Sequence, residues 1–494
     1  MSILLKKIIR NYNNQFVNNK KLKVNKLYVN IYKLLKHMII SMEIPEESIL
    51  PPTRNLAFEL NVSRSTILRV YEFLVLDGLV ESKRGSGYKL KKKIIIQPTL
   101  PILKEKEFEN LSEIGKSFLK NNQYVISNSV QNLAFSPGLP PLDIFPVSQW
   151  KNLSNMYWKE IKFSNLSYSP SSGIEKLKIN IANYLNLVRN LKCDSNQVII
   201  TSGSLQSLYL VGCILLNPGE KIFLENPTFP NVKSIFKGLM ANIIGIPIDE
   251  QGISIDYLND LKFKTKLIHT TPSCHYPSGI KMTLERRFKL LEYAQKNNSI
   301  IIENDYEHEL NNFEKPLPSL FSLDENKMTI YLGTFNRLLH PSLRIGYMIV
   351  PTKLKLPIEL LLKHSHRFVS PSIQVVLNQF IEKNYLFTHI NNVVKVTKDR
   401  KQFFTKNFNE LFEDSNLVLE KNETLSLQSL VKLKQGTLEE DFLSLFEKNN
   451  ISVHSYNKCF INKSIEQGLI LGHSSIPKPI IKNKLNQMVS LLNT

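Results

Sequence analysis

The chain has 494 residues, of which 42% are hydrophobic and 21% are charged, a composition typical of a folded protein with roughly two to four domains. No apolar run approaches the roughly 20 residues of a membrane-spanning helix, and four scattered cysteines favour neither a disulfide framework nor a zinc site, so we expect a cytoplasmic protein with no membrane partner. The net charge is +20, and residues 1–96 hold 18 Lys and Arg against 7 Asp and Glu, which is typical of a nucleic-acid-binding segment but equally compatible with ordinary solvated lysines.

The N-terminal part of the chain predicts helices separated by short turns. Residues 1–26 are basic and rich in asparagine, and we assign them only to an N-terminal arm. From Leu27 to Ile40 apolar residues recur on one helical face. Thr53 is placed to cap a second helix, with Asn61 suited to the left-handed conformation at its end.

A third helix is expected to begin after Ser63 as its cap and to end at Gly78. Two strand-like runs, 79–82 and 88–90, then flank a glycine-containing turn. A helix–turn–helix followed by a glycine-tipped hairpin is the layout of a winged helix-turn-helix domain, which we assign to residues 27–92. The buried face of the third helix is expected to be Ile67, Val70, Tyr71 and Leu74.

The stretch LPPTRNLAFELNVSRSTILRVYEFLVLDGLVESKRGSGYKL also resembles the signature of GntR-type DNA-binding domains almost position for position. In such a domain the N-terminal end of the recognition helix meets base edges, basic residues beside it meet phosphates, and the wing approaches the minor groove. The alternative is a winged module that binds protein. The residues expected to contact double-stranded DNA are Arg54, Ser63, Arg64, Ser65, Thr66, Arg69, Lys83, Arg84, Gly85, Ser86 and Gly87.

Residues 93–130 are interpreted as a linker of moderate stiffness that sets the spacing between two domains. Its LSEIG turn resembles one that precedes the large domain of MocR-type regulators, which join a GntR-type domain to an aminotransferase-like domain.

The rest of the chain predicts an α/β domain. The strand-like runs QVIITS, KIFLENP, KLIHTTP, SIIIEND and TIYLGT alternate with helical stretches, which indicates a mostly parallel sheet wrapped by helices. From FSPGLPPLDIFP onward the sequence resembles the MocR-type large domain. The resemblance implies a fold-type-I PLP-dependent transferase-like domain over residues 131–494, with a smaller C-terminal α+β subdomain from about residue 375.

The stretch YLGTFNRLLHPSLRIGY, residues 331–347, resembles the segment that carries the cofactor lysine in fold-type-I pyridoxal 5'-phosphate (PLP) enzymes. Arg337 stands at the position of the Schiff-base lysine, and a guanidinium that stays protonated cannot form an imine. Asn304, in ENDY, stands where the family has the aspartate that keeps the pyridine nitrogen protonated. We therefore expect a pseudoenzyme with no catalytic residue and no covalent attachment at Arg337, and non-covalent PLP binding is left open.

The same resemblance implies the remaining pocket residues. Gly203, Ser204 and Leu205 open a helix after a strand, where backbone N–H groups can hold a phosphate. Tyr168 matches a tyrosine that reaches the phosphate in the partner subunit, which implies a homodimer. The other implied contacts are Thr334 and Arg344 to the phosphate, Phe229 on the ring, Tyr306 at the ring hydroxyl, and His275 in TPSCHYPSG, where the family has a His-Gln pair.

These features favour a DNA-binding transcriptional regulator. Its large domain would dimerise, place two winged helices on paired half-sites, and sense PLP, pyridoxamine phosphate or an amino compound without catalysis. One alternative is a working PLP-dependent aminotransferase with an incidental winged helix. Another is a repressor whose large domain is a dimerisation scaffold with nothing bound.

Overall fold

The computed structural model describes residues 3–14, 27–83, 87–91, 111–125, 134–311, 317–462, 464 and 466–492. Contacts within the chain divide it into two units, with the boundary between residues 107 and 108. Within the described ranges, no helix is both long enough and apolar enough to cross a membrane.

The first unit is a set of helices followed by a hairpin, and this confirms the predicted winged helix-turn-helix. The strands of the hairpin pair antiparallel, with Val80 opposite Leu90. The elements are α1 (Ile3–Tyr12), α2 (Leu27–Ile40), α3 (Thr53–Glu59), α4 (Arg64–Leu76), β1 (Val80–Lys83) and β2 (Gly87–Leu90).

The third helix of the motif, α4, is formed as the sequence predicts. Ser63 caps it, its hydroxyl accepting the Thr66 N–H at 3.2 Å, and the predicted apolar face is buried. The prediction that Thr53 caps α3 is wrong. Pro52 holds the cap position, and Thr53 is already the first helical residue. The Thr53 hydroxyl instead accepts the Arg64 Nε–H at 3.4 Å, which joins the two helices of the motif.

Helix α1 lies in the segment that the sequence assigned only to a basic arm. Leu5, Ile8 and Tyr12 are buried in the same apolar core as α2 and α4. These three residues recur at helical spacing, so one face of α1 is apolar although the helix is basic overall. Residues 1–2 and 15–26 of the predicted arm lie outside the described residues.

The second unit contains the predicted α/β domain. Its helices are α5 (Glu113–Lys120), α6 (Val147–Glu160), α7 (Glu175–Arg189), α8 (Ser204–Leu215), α9 (Pro230–Gly238), α10 (Ile255–Asp260), α11 (Leu284–Asn297), α12 (His308–Asn311), α13 (Leu320–Leu323), α14 (Thr352–Ser365), α15 (Pro371–Glu382), α16 (Tyr385–Leu411), α17 (Glu439–Lys448) and α18 (Lys478–Leu492). Its strands are β3 (Val198–Thr201), β4 (Lys221–Asn226), β5 (Asn242–Asp249), β6 (Gly252–Ile253), β7 (Leu267–Thr270), β8 (Ile300–Asn304), β9 (Thr329–Thr334), β10 (Gly346–Ile349), β11 (Leu417–Leu419), β12 (Gln428–Leu433), β13 (His454–Ser455) and β14 (Gly468–Gly472).

The main sheet has the order β3-β10-β9-β8-β7-β4-β5-β6. Strands β5, β4, β7, β8 and β9 run parallel, whereas β10 is antiparallel to both of its neighbours. All five predicted strand runs lie in this sheet, and most of their residues are buried, as expected where helices cover both faces. The mostly parallel sheet is therefore confirmed, and it gathers the ends of β3, β4, β7, β8 and β9 at one edge.

A second, antiparallel sheet of order β11-β12-β14-β13 forms the C-terminal subdomain together with α16, α17 and α18. Phe135, from the start of the large domain, is buried in the core of this subdomain and meets Phe404 edge to face at 5.8 Å. The backbone N–H of Gly472 also donates to the carbonyl of Phe135 at 2.8 Å. The segment around residues 134–139 thus belongs to the subdomain although it lies far from it in sequence.

Residues 111–125, which the sequence placed in the linker, pack on the second unit. Ser117 donates its hydroxyl to the carbonyl of Lys237 in α9 at 2.7 Å, and the ring of Phe118 occupies the space that a Cβ on Gly238 would need. The Tyr124 ring lies 4.1 Å from Lys233 Nζ and 4.6 Å from Lys237 Nζ. This part of the predicted linker therefore belongs to the large domain, and the rest of the linker, residues 93–110 and 126–130, lies outside the described residues.

Candidate functional site

The N-terminal end of α4 presents a polar surface. Arg64 and Ser65 are exposed, and the capping hydroxyl of Ser63 lies 2.9 Å from Ser65 Oγ and 2.7 Å from Thr66 Oγ1. Arg54, at the start of α3, is also exposed. These residues lie together as the sequence predicted, which gives one helix end with hydroxyl and guanidinium donors.

The other residues expected to contact DNA lie outside this helix end. The Arg69 guanidinium lies 4.3 Å above the ring of Tyr28 in α2, so it stacks on the domain although it is exposed. Gly87 begins β2 with a φ of 82°, a backbone conformation that favours glycine. Arg84, Gly85 and Ser86 lie outside the described residues, as does the side chain of Lys83.

In the second unit, the residues that the resemblance implies form a candidate site, which we call the pocket. One end of it is built from backbone at the start of α8. The chain leaves β3 and enters α8 through Gly203, whose φ is 130°. The backbone N–H groups of the first turn, at Ser204 and Leu205, have no partner within their helix, as at any helix N-terminus. Gly346 packs directly against this turn, because a Cβ on it would lie 2.9 Å from Gly203 Cα. This end of the pocket can hold an anion.

Asn336 completes this end and was not singled out from the sequence. Its backbone N–H donates to Thr334 Oγ1 at 3.2 Å, and its side-chain oxygen accepts the Ile345 N–H at 3.2 Å. Its Nδ2 lies 3.0 Å from the position of a Cβ on Gly203, so it points toward the start of α8. The sequence does distinguish this position, because Asn336 stands where the family pattern GTFSK has a serine. Thr334 is buried, and Arg344 is exposed with a φ of 51°.

The middle of the pocket is aromatic and contains Asn304. The rings of Phe229 and Tyr276 meet edge to face at 4.9 Å, and Tyr306 donates its hydroxyl to the carbonyl of Cys274 at 2.9 Å. Asn304 Nδ2 lies 3.4 Å from His269 Nε2. Burial lowers the pKa of His269 to about 4, so the imidazole beside Asn304 is neutral at pH 7.

The Arg337 end of the pocket is made by two charged side chains. Arg337 Nη1 lies 3.6 Å from Glu307 Oε1, and the guanidinium lies 5.3 Å from the centre of the Tyr306 ring. Arg337 can take this position because residue 138 is glycine: a Cβ there would lie 1.7 Å from Nη1. Burial raises the pKa of Glu307, and the guanidinium of Arg337 opposes that rise. Glu307 and Gly138 were not predicted from the sequence as site residues.

Four buried polar atoms of this pocket have no hydrogen-bond partner among the described residues. They are Asn304 Oδ1, the Tyr276 hydroxyl, Glu307 Oε1 and Arg337 Nη1. A buried polar group without a partner costs about 1–3 kcal/mol, and most such groups in folded proteins are paired. Glu307 Oε1 and Arg337 Nη1 lie 3.6 Å apart in one ion pair, and Asn304 Oδ1 and the Tyr276 hydroxyl have no charged partner; together they indicate a site for a polar ligand.

Two residues implied by the resemblance lie elsewhere. Both ring nitrogens of His275 are occupied, Nδ1 with Ser278 Oγ at 2.7 Å and Nε2 with the Pro227 carbonyl at 2.9 Å. His275 therefore joins its own loop to the segment after β4. Tyr168 is exposed, with the Arg367 guanidinium 5.0 Å from its ring, and the single chain does not bring it to the pocket.

A buried ion pair lies next to the pocket residues Asn304 and Tyr306. Arg189 Nη2 lies 2.6 Å from Asp305 Oδ2, and the Tyr331 hydroxyl donates to the same oxygen at 2.8 Å. Burial raises the pKa of Asp305, but Arg189, His308, Ser273 and Tyr331 together more than offset this, so the net pKa lies well below its ordinary value. Asp305 is thus a charged structural residue, and it fixes the backbone between Asn304 and Tyr306.

Comparisons with known proteins agree with this arrangement. Residues 145–459 match the family described as aminotransferase class I and II, and residues 27–90 match that of bacterial regulatory proteins of the gntR family. The chain is 26% identical to the probable rhizopine catabolism regulatory protein MocR of Rhizobium meliloti over 93% of this chain and 92% of that protein. It is 31% identical to the HTH-type pyridoxine biosynthesis transcriptional regulator PdxR of Corynebacterium glutamicum over 61% of each.

Among solved structures, the fold is similar to LysN, an alpha-aminoadipate aminotransferase from Thermus thermophilus. The TM-score is 0.69 at 21% identity, covering 76% of this chain and 96% of LysN. This similarity concerns the fold.

Proposed function

Because this chain belongs to the aminotransferase class I and II family and joins that domain to a GntR-type DNA-binding domain, as MocR-type regulators do, we propose that it is a transcriptional regulator that senses a PLP-type ligand without catalysis. Relatives described as transcriptional regulators cover nearly all of the chain, and they support the regulatory part of the proposal. The observation that carries the non-catalytic part is Arg337, a permanently charged guanidinium in the place of the lysine.

The pocket residues fit a phosphorylated pyridine ring. The start of α8, Thr334, Asn336 and Arg344 would hold the phosphate, and Phe229 offers an aromatic face. Asn304 lies in the same site, and its Oδ1 is a buried polar atom without a hydrogen-bond partner among the described residues. When bound, PLP supplies an electron sink to an enzyme.

The side chains of this chain do not support that chemistry. Arg337 has no lone pair to offer and cannot take or release a proton at physiological pH. Asn304 is a neutral amide beside a neutral His269, so the residue at the aspartate position offers no carboxylate to hold a proton on a ring nitrogen. Together they leave binding and signalling as the proposed use of the pocket.

The DNA-binding surface is proposed to be the N-terminal end of α4 with Arg54, and the protein is proposed to act as a homodimer on paired half-sites. Substituting Arg64→Ala should weaken binding to the cognate site by about 1–3 kcal/mol if the guanidinium reads a guanine. Lys83→Ala or Arg84→Ala should weaken binding to all sequences and flatten its salt dependence. Electrophoretic shifts of the chain's own promoter DNA measure both effects.

Two results would contradict the proposal. A protein lacking residues 1–90 that still shifts the promoter DNA would exclude the winged domain as the reader. Robust transaminase turnover by the unmodified chain would exclude the non-catalytic role. The ligand part is tested by adding PLP to the purified protein: it should dialyse away, and borohydride should not trap it at residue 337. A monomer at micromolar concentration in sedimentation would contradict the homodimer.

A further inference from the structure

Glu307 is a buried carboxylate at the Arg337 end of the pocket, and the proposed function gives it no role. Its Oε2 accepts the Ser426 hydroxyl at 2.9 Å. Its Oε1 is buried and has no hydrogen-bond partner among the described residues. The side chain is 1% exposed, so bulk solvent does not satisfy that oxygen.

Arg337 presents a donor beside this acceptor. Its Nη1 is 3.6 Å from Glu307 Oε1, beyond hydrogen-bond distance, and it too has no acceptor among the described residues. The guanidinium is confined between the backbone at Gly138 and the ring of Tyr306. A donor and an acceptor, neither of them hydrogen-bonded among the described residues, therefore lie side by side at the Arg337 end.

The chemistry of this pair distinguishes ligands by the group that reaches it. A carbonyl oxygen only accepts, so it would pair with Arg337 and leave Glu307 Oε1 unsatisfied. An ammonium only donates, so it would pair with Glu307 Oε1 and leave Arg337 Nη1 without an acceptor. A hydroxyl or a neutral primary amine donates and accepts at once, so it can pair with both side chains.

We propose that the pocket selects phosphorylated pyridine ligands that carry an amine or a hydroxyl at this end over those that carry an aldehyde, with Glu307 as the specificity-determining residue. This rests on the proposed function, which places a PLP-type ligand in the pocket. The resident ligand class is then pyridoxamine 5'-phosphate or pyridoxine 5'-phosphate, and the aldehyde form is the weaker ligand.

Calorimetric titration of the full-length protein with the three phosphate esters tests this order. Pyridoxamine 5'-phosphate and pyridoxine 5'-phosphate should bind about tenfold more tightly than PLP, the factor expected when one buried polar atom gains a partner. Inorganic phosphate measures the contribution of the phosphate end alone. In Glu307→Gln the ratio should fall to about threefold or less, because the amide can also donate to a carbonyl oxygen.

Glu309→Gln is the matched control. Glu309 is also a buried carboxylate, two residues further on, but its Oε1 accepts the Tyr184 hydroxyl at 3.1 Å and its Oε2 lies 3.3 Å from the His308 ring. This variant has the same surface lysines as Glu307→Gln, so it also controls for adventitious reaction of the aldehyde. Its ligand ratio should equal that of the unmodified protein.

The order of affinities measured on the unmodified protein tests the proposal even if a variant does not fold. PLP binding as tightly as the amine and the alcohol, or more tightly, would overturn the role of Glu307 and would indicate that its carboxyl carries a proton. An unchanged ratio in Glu307→Gln would overturn it as well. If none of the three esters binds, ligand sensing itself fails together with this inference, whereas binding in the opposite order contradicts the inference alone.

Discussion

The two ends of the pocket are built from different parts of the chain. The phosphate end is mostly backbone: the start of α8, the turn at Gly203, and Gly346 packed against it with no room for a side chain. The Arg337 end is made of side chains, with Arg337 and Glu307 facing each other. Both ends lie on the same sheet edge.

The difference shows which residues carry information about function. A glycine that sits within van der Waals contact of another strand cannot change without moving the sheet, so the phosphate end would persist in this fold whether or not a phosphate binds. Side chains that project into a pocket can change without such a penalty. The nature of Arg337 and Glu307 is therefore the better guide to what this pocket does.

The largest effect is expected from restoring the lysine at the side-chain end. Arg337→Lys should create covalent attachment of PLP, trapped by borohydride and located at residue 337 by mass spectrometry, because an amine that loses its proton can form an imine. Transamination should stay low, since Asn304 is unchanged. Adding Asn304→Asp should raise activity by more than the two single effects combined, because both residues act on one reaction.

This prediction would be contradicted if borohydride also trapped PLP at residue 337 of the unmodified chain. Asn304→Asp alone serves as the control, and it should give no covalent attachment.

A second effect concerns the pH dependence of stability that comes from His269, the neutral imidazole beside Asn304. The folded pKa of His269 is about 4, below the ordinary value of 6.5, so the unfolded chain binds its proton first. The contribution of neutral His269 to the free energy of unfolding is complete above pH 6.5. It is lost as the pH falls toward 4, by about 1.4 kcal/mol per pH unit and about 3 kcal/mol in total. Urea unfolding between pH 7 and pH 4 should show a smaller decline in His269→Gln. His364→Gln, an exposed histidine, should decline like the unmodified protein.

The smallest effect is expected from a substitution at the phosphate end, where the site is built from backbone. In Gly346→Ala the new Cβ would lie 2.9 Å from Gly203 Cα and 2.9 Å from the Gly333 carbonyl oxygen, and both are backbone atoms. Such overpacking should lower the free energy of unfolding by about 1–3 kcal/mol and should weaken the binding of inorganic phosphate at the start of α8. Gly115→Ala, where the nearest atom is a side-chain oxygen at 3.4 Å, is the control. Equal stability of the two variants would show that the phosphate end is not held by this contact.

Much of the fold follows from local patterns. The bounds of α2, the Ser63 cap of α4 and its buried face, the left-handed Asn61 and the five strand runs were all readable from the sequence, because each depends on residues close along the chain. Thr53 was misjudged because its hydroxyl binds Arg64 instead of its own helix, a contact between two helices that no local pattern encodes.

The sequence by itself determined the two-part plan of the protein and the substitutions at Arg337 and Asn304, since these are identities at positions in a recognisable pattern. Tertiary structure alone decided that Glu307 faces Arg337, that Gly138 leaves room for the guanidinium, and that residues 111–125 pack on α9. It also decided that both ring nitrogens of His275 are occupied, one by Ser278 in its own loop and one by Pro227 after β4. These facts depend on distances between segments far apart in the chain, where packing and burial set which polar atoms find partners and which are left for a ligand.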